Sequence, residues 1–166
     1  MKKYIITSLL IVLAVSFWNC EKDDICAETT PTTPRLVVEF YDASNPTELK
    51  NVTFLEYVEV SSTDTLTEND VSKIEIPLKT AENLTTFKLI LNGGDEDESN
   101  NYTDEITFNY NRIETYISRA CGYKTTFILN QTDGVIIPTT PNWFSNYEIV
   151  QSNINNEDET HVKILF

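Results

Sequence analysis

From Arg35 onward the apolar residues recur at every second position, and this period of two constrains the fold more than any other feature of the chain. Leu36, Val38 and Phe40 alternate with Val37, Glu39 and Tyr41. Ile74, Ile76 and Leu78 alternate with Lys73, Glu75 and Pro77, and Ile106, Phe108 and Tyr110 with Thr107, Asn109 and Asn111. A strand turns successive side chains to opposite faces, so the pattern belongs to strands that bury one face. Residues 52–60 are rich in β-branched and aromatic types. Phe87, Leu89 and Leu91, then Thr125, Phe127 and Leu129, then Tyr147 to Val150, then Val162, Ile164 and Phe166 complete the set. Turn signals at Asn45-Pro46, Asn92-Gly93-Gly94 and Asp133-Gly134 separate the runs. Pro77 has no N–H for a ladder, which puts its run at a sheet edge. Glu114 to Arg119 either extends the preceding strand or kinks at a bulge. No amphipathic helix and no internal repeat follows residue 20. About 7–9 short strands at this spacing predict an all-β fold, an antiparallel β-sandwich of immunoglobulin-like type.

The first 24 residues speak to location. Lys2 and Lys3 give a positive start, Tyr4 to Trp18 is apolar, and Cys20 follows, then Glu21-Lys22-Asp23-Asp24. The apolar run is shorter than the roughly 20 residues that a spanning helix needs. A positive start before a short apolar core marks a secretory signal. Two cuts are open. Ala14-Val15-Ser16 offers a small-x-small site, and the alternative cut falls just before Cys20, with lipid added to its sulfur. Each buried CH₂ contributes about 0.8 kcal/mol, so a multiply acylated cysteine holds a protein to a membrane. The expected organisation is a lipoprotein signal peptide over 1–19, a tether over 20–34 that ends in the Thr/Pro spacer Ala27 to Pro34, and one β-domain over 35–166.

Charge narrows the partners. The chain carries a formal −14, and loss of residues 1–19 removes Lys2 and Lys3 and no acid, leaving about −16. Such a body does not neutralise phosphates, which argues against nucleic acid. With 40% apolar residues it can bury a core. If Cys20 carries lipid, Cys26 and Cys121 remain. They either pair in an oxidising compartment or stay as thiols, with Cys121 buried; the even count in an exported chain favours pairing.

Three stretches carry a resemblance. Cys20-Glu21-Lys22-Asp23-Asp24 looks like the lipoprotein start of Bacteroidota, where an acidic run after the acylated cysteine resembles a surface-export signal at Lys22, Asp23 and Asp24. Phe17-Trp18-Asn19 departs from the small residues that usually precede such a cysteine. Thr33-Pro34-Arg35-Leu36-Val37-Val38-Glu39-Phe40-Tyr41-Asp42 and Arg119-Ala120-Cys121-Gly122-Tyr123, taken with Asp23-Asp24-Ile25-Cys26, resemble a domain-of-unknown-function family of small Bacteroidota outer-membrane lipoproteins. The resemblance implies an outer-membrane, lipid-anchored protein that faces either the cell surface or the periplasm. It implies a Cys26–Cys121 link, and it transfers no catalytic residue. Asp64-Thr65-Leu66 also resembles the tripeptide that such bacteria O-glycosylate.

Candidate chemistry is sparse. Nucleophilic catalysis needs a nucleophile, a base and an orienting group. The single histidine, His161, sits in the last strand, where an edge-strand polar residue is the expected role; neither cysteine is marked as a nucleophile. One histidine and two pairing cysteines cannot close a zinc site. Asp95, Asp97 and Ser99 imitate the start of a calcium loop, yet Asn100 stands where the turn glycine belongs and Ile106 where the closing glutamate belongs. With 26 acids, a glycosidase-like carboxylate pair carries no information. The proline-bounded loop from Pro138 to Tyr147 packs Trp143, Phe144 and Tyr147 together; it either stacks a sugar or grips a partner, or folds down as a lid over the core. Asn51-Val52-Thr53, Asn83-Leu84-Thr85, Asn101-Tyr102-Thr103 and Asn130-Gln131-Thr132 are sequons by pattern only. The expectation is a non-enzymatic envelope lipoprotein without cofactor, presenting a binding or scaffolding β-domain to an envelope protein partner, with a glycan- or calcium-binding module as the alternative.

Overall fold

The computed structural model describes residue 4, residues 25–95 and residues 98–166. The expected leader, Cys20, the Lys22-Asp23-Asp24 run and Asp97 lie outside the described residues. Two compact units are present: a larger one of Thr32–Thr115 and Lys124–Phe166, and a smaller one of Met1–Pro31 and Tyr116–Tyr123.

The described residues form twelve strands: β1 (Leu36–Asp42), β2 (Asn45–Leu49), β3 (Leu55–Glu59), β4 (Thr65–Glu68), β5 (Lys73–Ile76), β6 (Leu84–Leu91), β7 (Tyr102–Ser118), β8 (Gly122–Leu129), β9 (Val135–Ile136), β10 (Asn146–Ile149), β11 (Asn153–Ile154) and β12 (Val162–Leu165). One sheet runs β10-β12-β1-β2, with β5 also paired to β1; the other runs β11-β8-β7-β6-β3-β4, with β9 also paired to β7. Val38 faces Val162 on one side and Ile74 on the other. Tyr41 faces Leu165 and Leu49. Hence β5 and β2 share one edge of β1, and β12 takes the opposite edge.

The core lies between these sheets. Leu36, Val38, Phe40, Ile74, Ile76, Val162 and Ile164 meet Leu55, Tyr57, Phe87, Leu89, Ile106, Phe108, Tyr110, Phe127 and Leu129 in one buried cluster. These are the alternating residues of the sequence, which is why the period of two builds a two-layer fold. Lys79 N–H donates to Thr85 Oγ1, and Tyr110 Oη, 2.7 Å from Thr85 Oγ1, donates to Lys79 O, so the connection after β5 is fastened to the core.

Four expectations are corrected. The sandwich is not wholly antiparallel, because β1 and β12 run parallel. Local alternation carries no strand direction, and parallel neighbours need a long connection, here the whole intervening chain. The strand count exceeds 7–9 because β2, β4, β9 and β11 are two to five residues long, and β2 and β4 are exposed throughout. Asn45-Pro46 opens β2 instead of forming the turn. Asp42 Oδ1 accepts from Ser44 N–H and Oγ–H, which moves the turn to Ala43-Ser44, and Pro46 is tolerated on an exposed edge. His161 is no edge residue: it is buried and precedes β12, which is flanked by β1 and β10. Glu114 to Ser118 continues β7 without a break.

Candidate functional site

The Trp143 loop is held down by a carboxylate. Asp104, on the core face of β7 and only 2% exposed, accepts three successive backbone N–H groups: Asn142 at 2.7 Å, Trp143 at 2.8 Å and Phe144 at 3.0 Å. Consecutive N–H groups of this kind form a nest that binds anions, and here the protein's own side chain fills it. The indole Nε1–H of Trp143 donates to Leu89 O at 3.2 Å. Its ring packs 4.4 Å from Phe144, 5.4 Å from Phe166 and 6.1 Å from Phe40, centroid to centroid. Trp143 and Phe144 are thus core residues, and Tyr147, half-buried on β10, packs against the same core. The lid geometry removes the indole face that a sugar would stack on.

A small cleft of about 180 Å³ lies among Arg35, Tyr57, Glu68, Lys73, Ile74 and Glu75. It is below the usual size of small-molecule sites. Arg35, Lys73 and Glu75 are already partnered. The Arg35 guanidinium grips Glu157 through Nε at 3.0 Å and Nη2 at 3.1 Å, and reaches Glu75 at 2.5 Å. Glu75 also meets Lys73 at 3.2 Å. The Arg35 hydrogen bond holds the Glu157 carboxyl below its ordinary range. Burial raises the Tyr57 phenol above its own.

His161 serves the fold. Its Nδ1 accepts Val37 N–H at 2.9 Å, and its own N–H donates to Val37 O at 3.0 Å. With Nδ1 accepting, the neutral ring carries its proton on Nε2, which is buried without a hydrogen bond. Burial lowers the imidazole pKa, against the opposing pull of Glu159 and Glu157. In the acidic turn, Asp95 N–H donates to Asn92 O, and Ser99 lies in the short helical turn Glu98–Asn100. Among the described residues no three His, Cys, Asp or Glu side chains gather as metal ligands. Thr65 and Leu66 are exposed on the edge strand β4.

The smaller unit carries the disulfide. Cys26 is bonded to Cys121, 95 positions away in sequence, with Cα atoms 5.0 Å apart. Cys121 ends the turn Arg119–Cys121 that joins β7 to β8, and Gly122 leaves that turn at φ 70°. This left-handed conformation suits glycine at the close of a three-residue hairpin turn. Tyr116 and Tyr123 flank the turn, their rings edge-to-face at 5.3 Å. They are 54% and 68% exposed, and Ile25 is 84% exposed. Sequence reasoning passed over both tyrosines. The buried alternation of β7 stops at Tyr110, and Ile113 to Tyr116 are exposed in turn, a change that appears only in the folded strand.

These features define a class: an all-β protein of two packed sheets, with a disulfide-tied hairpin and, among the described residues, no clustered metal-ligating side chains. The chain belongs to the family of unknown function DUF6452, which matches residues 52–166. That stretch runs through β12, while β1 and β2 precede it. No curated protein and no solved structure matches the chain.

Proposed function

We propose that this chain is an outer-membrane lipoprotein of the Bacteroidota type, acylated at Cys20, whose immunoglobulin-like β-domain binds or scaffolds an envelope partner and performs no chemistry. The observation that carries the reading is the Cys26–Cys121 disulfide, six residues past Cys20 at its near end. Disulfides persist in oxidising compartments, so a paired cysteine and an export-type leader point the same way. The non-enzymatic part is supported by the use of the chemistry-bearing groups as structure: His161 and Asp104 hold backbone N–H groups, and Arg35 is bound by Glu157.

The test is metabolic labelling with a radioactive or clickable fatty acid, comparing the native chain with Cys20→Ala. Label on the native protein alone, with the variant shed from the membrane fraction, supports the anchor. Equal labelling, or none on either, refutes it. Protease shaving of intact cells then reports sidedness. The native chain is expected to be cleaved, and a Lys22→Ala, Asp23→Ala, Asp24→Ala variant to be spared. A native chain cleaved only after the outer membrane is opened assigns the domain to the periplasmic face.

A further inference from the structure

We propose that the hairpin end of the smaller unit is a membrane-docking surface, with Tyr116, Tyr123 and Ile25 seated in the lipid interface beside the anchor, an inference that rests on acylation of Cys20. The geometry of the tether carries it. Cys20 and Cys26 are six residues apart, so a fully extended backbone spans at most about 20 Å between them. The disulfide adds a Cα separation of 5.0 Å. It thereby replaces a backbone route of 95 residues with a short leash and keeps the turn Arg119–Cys121 close to the acylated residue.

The groups at that turn suit a lipid interface. Tyrosine presents an apolar ring and a polar hydroxyl and is enriched where membrane meets water. Two such rings, stacked edge-to-face and largely exposed, serve no core. Charge does not drive the docking: residues 116–123 carry only Arg119, while the tether beside them carries Glu21, Asp23, Asp24 and Glu28 against Lys22. Arg119 lies in the turn itself. The apolar rings of Tyr116 and Tyr123 and the exposed Ile25 therefore carry the docking, and the acyl chains hold it against the charge of the tether.

The acylated full chain is inserted into vesicles of phosphatidylethanolamine and phosphatidylglycerol that contain a bromine-chain phosphatidylcholine. Tyr123→Trp supplies the probe, and the native chain, whose Trp143 is buried, supplies the baseline. The expected result is blue-shifted emission from the added tryptophan and its loss to bromine quenching. Flotation with the vesicles but no quenching overturns docking and leaves anchoring intact. Failure to float overturns both. Aqueous iodination of the unsubstituted chain gives an independent reading. Tyr116 and Tyr123 are expected to be shielded on vesicles and open without them. Shielding that needs no vesicles and grows with protein concentration marks a second copy as the occupant and overturns the proposal.

Discussion

Asp104→Asn isolates the carboxylate clamp with almost no change in volume. The native side chain accepts Asn142 N–H through Oδ1, and Trp143 and Phe144 N–H through Oδ2, at 2.7, 2.8 and 3.0 Å. An asparagine retains one oxygen. If that oxygen keeps the Trp143 and Phe144 donors, the amide nitrogen faces Asn142 N–H, donor against donor. If the amide flips, two donors are lost instead of one. A hydrogen bond to a charged group is worth about 1.5–3 kcal/mol, and a buried donor left unpaired costs about 1–3 kcal/mol. The substitution therefore costs about 2–4 kcal/mol even in the better amide orientation. For a domain of this size that lowers Tm by roughly 10 °C. Trp143 is the only tryptophan once residues 1–19 are removed, and its N–H is one of the three donors, so its emission during urea unfolding reports on the clamp itself. A midpoint shift at unchanged m-value is expected. A loss below about 0.5 kcal/mol, the range of ordinary surface substitutions, would refute the view that Asp104 holds the loop.

Three further outcomes follow from other parts of the fold. Cys26→Ser and Cys121→Ser should each lose up to about 4–5 kcal/mol, with the double variant losing no more than either alone; additive losses in denaturant melts would mean that the two sulfurs are not partners. His161 titrates lower in the folded chain than its ordinary 6.5, so the unfolded chain binds more protons below that value and stability falls as pH drops through 6.5, by at most about 1.4 kcal/mol per pH unit. Glu157 and Glu59, whose values are lowered from 4.5, act at more acidic pH, so urea melts between pH 7.5 and 5 isolate the histidine, and a flat profile there contradicts its burial as a neutral acceptor. A Cβ at Gly134 would lie 2.2 Å from Asn130 O, a backbone atom that cannot turn aside, so Gly134→Ala should cost about 2 kcal/mol or more; an unchanged Tm would show that the turn relaxes freely.

Much of the two-layer core was legible in the sequence because residues such as Leu36, Val38 and Phe40, or Ile106, Phe108 and Tyr110, sit where a period of two assigns them. The Cys26–Cys121 bond was legible from the cysteine count, taken with the export that the leader leads one to expect. What escaped depends on partners far along the chain. Trp143, Phe144 and Tyr147 look alike in sequence whether they face solvent or core; Asp104, thirty-nine residues before Trp143, decides the matter with its three hydrogen bonds. His161 reads as an edge residue until Val37 is brought opposite it. The short strands β9 and β11 exist only as partners of β7 and β8, so no local pattern announces them.

The parallel pairing of β1 with β12 has a consequence for the order of assembly. Val38 is matched to Val162, so one side of β1 waits for residues translated more than a hundred positions later. Until they arrive, β1 offers an open ladder and a row of apolar side chains, a template for the wrong neighbour. Contacts of such sequence separation also slow folding. Until Val162–Leu165 are available, the sheet of β10, β12, β1 and β2 therefore cannot be completed, and the strand that closes it is the last of the described strands to be made.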